Sequence, residues 1–256
     1  MNLSTGELLA KLEPLVRAAP SGLFAFDADG TLWSGDVRED VFQLAVNEGL
    51  LRDESRDALA REASTHAIEA SGSASAIAAR LAAAHLAGSY PERDAYAMMT
   101  WCYAGFSVEE LTHLAQRAFE ETRLRERLHE ELAPILALAR KAHVPVAVVS
   151  ASPLPIVREA VRLWELDAEA VTASRAAVGA GRFLDYLAAP VPYAEAKPAA
   201  LAALFANHLL LASFGDSAFD IELLLAARVG VAVRPKPALV ARLAELESIV
   251  TLEPAD

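Results

Sequence analysis

The sequence predicts an α/β fold in which a parallel sheet with crossover helices is interrupted by a long all-helical insertion. Three observations carry this. Short apolar runs alternate with helical periodicity over residues 144–233, the pattern of parallel strands joined by crossover helices. Residues 37–132 show helical periodicity almost throughout and no convincing strand. The first apolar run, Leu23-Phe24-Ala25-Phe26, stops abruptly at Asp27-Ala28-Asp29-Gly30-Thr31. An open sheet places its chemistry at such a carboxyl edge.

Each element follows in turn. Residues Asn2 to Ala19 read as a short amphipathic helix, with Leu8, Leu9, Leu12, Leu15 and Val16 as its apolar positions, entering the first strand through Pro20-Ser21-Gly22. After the acidic turn, Trp33-Ser34-Gly35-Asp36 makes a second one. The helical stretch breaks at Asn47-Glu48-Gly49, Ser71-Gly72-Ser73, Gly88-Ser89-Tyr90-Pro91 and Gly105-Phe106-Ser107, and Ser107 with Glu110 forms a capping box. A helix from Glu130 to Ala142 leads to Val144–Ser150, a buried strand ending in a hydroxyl. Next come a helix (Leu154 to Trp164), a strand (Ala170 to Ala173), a hairpin around Gly179-Ala180-Gly181, and a helix from Lys197 to Asn207 with Pro198 in its first turn. Leu209–Asp216 is a buried strand ending in an acid; a helix (Phe219 to Ala227) and a strand (Val229 to Val233) complete the alternation. The expected division is a core of residues 1–34 and 134–256 and a helical cap of residues 35–133.

Composition narrows the partners. With 54% hydrophobic and 23% charged residues the chain is globular in character. A net charge of -12 argues against a general nucleic-acid binder, which wants a basic stripe. It leaves room for a small anionic substrate, because a metal or local cluster reverses the sign within one pocket. The single cysteine, Cys102, excludes an internal disulfide and a thiolate metal site. No apolar run reaches transmembrane length, and residues 1–20 lack the apolar core of a signal peptide. The expectation is a cytoplasmic protein with no membrane partner.

The strand ends carry Asp27 and Asp29, Ser150, and Asp216, with Asp220 one turn along the next helix and Lys197 at the start of another. Close carboxylates repel unless they share a cation or their pKa values are driven apart. Together these groups suit phosphoryl transfer. Asp27 is the candidate nucleophile and Asp29 the proton donor and acceptor. Asp27, Asp29, Asp216 and Asp220 are candidates for an all-oxygen site for Mg²⁺. Ser150 and Lys197 would donate to the phosphate oxygens.

In that order and on those strand ends, Asp27-Ala28-Asp29-Gly30-Thr31, Ser150, Lys197 and Gly215-Asp216-Ser217-Ala218-Phe219-Asp220 resemble the haloacid dehalogenase superfamily. The helical insertion resembles its C1-capped branch, which contains phosphoserine phosphatase. The resemblance implies a Rossmann-like core and an aspartyl-phosphate mechanism. In it Asp27 attacks phosphorus, Asp29 protonates the departing alcohol and later activates water, and Mg²⁺ is held by Asp27, the Asp29 carbonyl and Asp216, with Asp220 in support. Helix termini near Ala151-Ser152 would add N–H donors for the anion. Ala151 stands where phosphoserine phosphatases carry glycine, and Phe219 where they carry a polar side chain. Asp36 stands where they meet the substrate's ammonium; with Trp33 as a cation–π face this suggests an amine-bearing ester such as phosphoserine or phosphocholine. The plainer reading is that Asp36 caps the helix at Val37 and Trp33 packs beneath the cap hinge.

The expected function is Mg²⁺-dependent hydrolysis of a small-molecule phosphomonoester, small because the cap would obstruct a macromolecule. The alternatives are a phosphotransferase passing the group to an alcohol, and a non-catalytic binding module. His66, His85, His113 and His129 read as surface or rim residues, and Arg123, Arg125 and Arg127 as part of a solvated helix face. Trp101, Tyr103 and Phe106 read as cap core, and Arg234-Pro235-Lys236-Pro237 as a loop and helix start. Arg38, Arg52, Arg56 and Arg61 each suit a substrate carboxylate, and nothing in the sequence chooses among them.

Overall fold

Buried on every residue, the run Gly22–Phe26 has no polar face to show water, and it becomes an interior strand of a parallel sheet. The computed structural model describes residues 1–255. Its strands and helices, in chain order, are β1 (Asn2–Leu3), α1 (Thr5–Ala18), β2 (Gly22–Phe26), α2 (Val37–Asn47), α3 (Asp53–Thr65), α4 (Ala74–Leu86), α5 (Glu92–Trp101), α6 (Val108–Glu121), α7 (Ala133–Lys141), β3 (Val146–Pro153) and α8 (Leu154–Val161). There follow β4 (Val171–Ser174), β5 (Ala176–Gly179), β6 (Arg182–Leu187), α9 (Lys197–Leu204), β7 (Leu209–Gly215), α10 (Ile221–Ala226), β8 (Val229–Val233), α11 (Pro237–Leu243) and β9 (Ile249–Leu252).

Seven strands pair in the order β1-β9-β8-β7-β2-β3-β4, all parallel. From β2 the chain moves outward one way to β3 and β4, then crosses back to lay β7 on the other side. The strand order therefore reverses at β2, and the crevice beyond its carboxyl end is where such a sheet binds ligands. Phe26 and Phe214 stack there at 4.1 Å, locking β2 to β7 beneath the crevice.

Between β2 and β3 lie helices α2–α7 and short 3₁₀ turns with no strand, as the periodicity predicts. The hairpin β5–β6 joins them: Gly105 N–H donates to Phe183 O (2.9 Å) and Phe183 N–H to Phe106 O (2.8 Å). The two linkers to the helical insertion pair with each other, through Ser34 N–H to Arg127 O (2.9 Å) and His129 N–H to Leu32 O (3.1 Å).

Four expectations are corrected. Neither β1 nor β9 is in the sequence reading; β9 is four residues at the sheet's margin, and the two residues of β1 are ordered only by pairing with it, Asn2 opposite Thr251. β3 runs on to Pro153, so Ser150 lies inside the strand, and residues 151–152 precede α8 rather than open it. His129 is not a rim residue: it is buried, with Nδ1 donating to Thr31 O at 2.8 Å. A carbonyl only accepts, so Nε2 accepts from Ser34 Oγ at 3.0 Å, and burial lowers the pKa of the ring. Arg127 is no solvated helix charge either; it pairs with Asp40 and donates to Ser34 O across the linkers. Among the described residues no helix is long and apolar enough to cross a membrane.

Candidate active site

The carboxyl ends of β2, β3, β7 and β8 open onto one cavity of about 170 Å³. Asp27 follows β2, Ser150 lies within β3, and Asp216 follows β7, so residues far apart in sequence share one edge. Asp29, Ala151, Lys197 and Asp36 also line the cavity; Asp220 lies just behind it, fully buried.

Two glycines let the acids come this close. Gly30 has φ +85°, and a Cβ there would overlap the Asp216 carboxylate. A Cβ on Gly215 would collide with Asp220. The ammonium of Lys197, itself buried, bridges Asp27 Oδ1 and Asp220 Oδ1, each at 2.5 Å. The other oxygen of Asp220 accepts from Ser217 N–H (2.9 Å), Ser217 Oγ (2.8 Å) and Asp216 N–H (3.2 Å). Asp220 is thus saturated, and it fixes both the lysine and the turn that presents Asp216.

Burial, followed by repulsion from Asp220, raises the pKa of Asp27 against the pull of Lys197. Asp216 is pushed to about 6, chiefly by burial, against the Lys236 ammonium 2.9 Å away. Lys197 is driven up by the two carboxylates against its own burial and stays charged. Asp29 is held differently. Its Oδ1 accepts from Trp33 Nε1 (2.9 Å) and from Val37 N–H (2.8 Å), and its Oδ2 from Ser152 Oγ (2.6 Å). Burial, then the charge of Asp36, moves its carboxyl to about 7. Val37 opens α2, so the first helix of the cap holds the orientation of this acid.

Asp27, Asp216 and Asp220 each offer a buried carboxylate oxygen within 4.8 Å of the others. Counting Asp29, four carboxylates face the two ammonium groups of Lys197 and Lys236. The deficit of two positive charges and the hard oxygen donors fit a divalent cation such as Mg²⁺. Ser150 Oγ accepts from Ser152 N–H (3.1 Å), leaving its hydroxyl proton for a ligand.

Asp36 caps α2 by accepting from Glu39 N–H (3.1 Å), and its other oxygen pairs with Arg38 Nη2 at 2.5 Å. Trp33 is fully buried and offers no face to the cavity. Sequence reasoning did not assign Lys236, although it follows β8 on the same edge and the strand-end rule would have found it. The cap side of the cavity, Arg38, Glu92, Tyr96 and Tyr193, carried no motif. Of the four candidate arginines only Arg38 reaches it.

Residues 24–225 match the sequence profile of a family described as haloacid dehalogenase-like hydrolase. No curated protein matches the chain. A protein of unknown function from Bordetella pertussis Tohama I is similar in structure, with TM-score 0.69 at 20% identity, over 90% of this chain and 97% of that one. A functionally unknown protein from Anaerococcus prevotii DSM 20548 gives TM-score 0.69 at 14% identity, over 97% and 96%. A phospho-aspartyl intermediate analogue of phosphoserine phosphatase gives 0.53 at 18%, over 92% and 95%. At such identities these likenesses speak for the fold.

Proposed function

The chain belongs to the haloacid dehalogenase-like hydrolase family, and on that premise we propose that it is a Mg²⁺-dependent phosphatase of small phosphomonoesters, working through a phosphorylated Asp27. One observation carries this reading. A buried carboxylate held by Lys197 stands two residues before a second carboxyl that is oriented separately, by Trp33 Nε1, Val37 N–H and Ser152 Oγ. Two acids with divergent environments are the arrangement that divides nucleophile from proton carrier.

Asp27 attacks phosphorus as the phosphorus–oxygen bond to the alcohol breaks. Lys197, bridging Asp27 and Asp220, favours the ionised form of Asp27 against the burial that opposes it. Asp29, protonated near neutral pH, gives its proton to the departing oxygen. It then takes a proton from the water that attacks the phosphoryl group, and phosphate leaves. Ser150 and Lys197 donate to the non-bridging oxygens, whose charge grows in the transition state. Asp27, Asp216 and the Asp29 carbonyl, with Asp220 in support, would hold Mg²⁺, which would supply positive charge against the repulsion between a phosphate dianion and these carboxylates. The helices above exclude bulk water, which favours an ester of small size.

The experiment is phosphate release from an aryl phosphate and a panel of small esters, with Mg²⁺ and with chelator, beside Asp27→Asn. Activity that needs both Mg²⁺ and Asp27 supports the proposal. Release by Asp27→Asn at the wild-type rate defeats it.

A further inference from the structure

Beyond the carboxylate cluster, the cavity is lined by Arg38, Glu92, Tyr96, Tyr193 and Phe219, where the alcohol end of an ester would lie. Two acids stand at this end, Asp36 and Glu92, and both are already engaged. Asp36 has one oxygen on Glu39 N–H and the other on Arg38. Glu92 accepts from the Tyr96 phenol and faces that of Tyr193. An incoming ammonium would have to displace one of these donors.

Arg38 is the opposite case. Only 4% exposed, it stacks on the Tyr96 ring with its guanidinium carbon 3.8 Å from the centroid. Its Nη2 goes to Asp36, and its Nε is buried with no acceptor. The phenol of Tyr103, which feels the charges of both Arg38 and Asp36, is likewise buried without a partner. Buried donors left unmet are costly, and a guanidinium has five N–H groups to distribute. At the cavity itself Arg38 is the cation of this wall, and Asp36 takes only one of its N–H groups, so the guanidinium has donors to spare for an acceptor oxygen. The other three candidate arginines are committed elsewhere: Arg52 to Gly105 O and Glu110, Arg56 to Gly72 O, Arg61 to Asp185.

We propose that Arg38 binds a carboxylate on the alcohol moiety, so that the preferred substrates are phosphorylated hydroxy acids and not phosphorylated amino alcohols. This rests on the phosphatase reading above. Asp36 is then the counter-ion that holds the guanidinium in place while its free N–H turns to the substrate, and the Tyr96 ring fixes the plane of the fork.

Three esters of similar size separate the alternatives: phosphoglycolate, propyl phosphate and phosphoethanolamine, compared by kcat/KM with Mg²⁺. Phosphoglycolate is expected to exceed propyl phosphate by about tenfold or more, the worth of one charge-assisted hydrogen bond, and phosphoethanolamine to come last. In Arg38→Gln the ratio of phosphoglycolate to propyl phosphate falls to about one, chiefly through KM, and Arg38→Lys restores part of it. A ratio unmoved by Arg38→Gln, or phosphoethanolamine ranked first, overturns the proposal. Should Arg38→Gln fail to fold, inhibition of the wild type decides. Glycolate must then compete with propyl phosphate more strongly than ethanolamine does, and the reverse order overturns the proposal. If no ester is hydrolysed in an Asp27-dependent way, the phosphatase reading fails by itself. Calorimetric titration with Mg²⁺ then tests Arg38 separately: phosphoglycolate must bind more tightly than propyl phosphate in the wild type, and equally in Arg38→Gln.

Discussion

The two sides of the cavity are built on different principles. The core side is charge held by charge: Asp27, Asp216 and Asp220 sit on strand ends and turns, pinned by Lys197 and Lys236. The other side is rings, one arginine and the acids Asp36 and Glu92, drawn from the cap helices and from core segments at Tyr193 and Phe219. There Tyr96 is in edge contact with Tyr193 at 5.3 Å and Tyr193 is tilted on Phe219 at 4.6 Å. A sheet edge fixes atoms to the precision that bond-making needs. Helices and a loop can vary their side chains without disturbing it. Chemistry therefore belongs to one side and choice of substrate to the other.

This division is exposed to test. The largest effect is expected from Asp27→Asn, which should lower phosphate release from every ester by about a thousandfold or more without reordering them. A change in the ranking of esters would blur the contrast. Next comes Lys197→Met, which strands two buried carboxylates; chemical denaturation without Mg²⁺ should show a loss of about 3 kcal/mol, partly regained when Mg²⁺ is added. Trp33→Phe removes one of three donors to Asp29 and should lower kcat by about tenfold with KM little changed, for all esters alike. A shift in KM confined to one ester would place Trp33 on the selecting side instead.

The smallest effect sharpens the cap's own character. Arg52 and the Ser107 N–H hold the Glu110 carboxyl down to about 2. A carboxyl whose pKa is lower folded than unfolded stabilises the fold above the unfolded value, and that contribution fades as pH falls through 4.5 towards 2. The pair is half-exposed, so Glu110→Gln should lower Tm by only a few degrees near about pH 7 and leave it unchanged near about pH 2. An equal loss at both pH values would mean that packing, not charge, ties α6 to Arg52.

Much of the core was legible because a strand end is a local signal. An apolar run that stops at Asp27 or at Asp216 announces both a buried strand and the group at its tip. Asp36 could be read as a helix cap from the side chain and the turn before it, and the structure shows that cap. Lys236 was passed over because its neighbours Pro235 and Pro237 look like a loop, and its ion pair with Asp216 spans elements that no local pattern joins. His129 looked like a surface histidine because its partners, Thr31 and Ser34, lie in the other linker.

By itself the sequence determined the alternation of strands and helices, the all-helical run between the first two apolar strands, and the order in which acids, hydroxyl and lysine meet the strand ends. These follow from periodicity, capping and turn chemistry, which act over a few residues. The tertiary structure alone decided which arginine of four turns to the cavity, that Asp36 is engaged by Arg38, and that the β5–β6 hairpin leans on the helical insertion. The first and the last depend on segments far apart in the chain, and the Asp36–Arg38 pair, though its members are only two residues apart, is held by the packing of Arg38 on the Tyr96 ring. The free energy that selects such contacts comes from burial and from pairing of desolvated groups, and neither exists until the chain has folded.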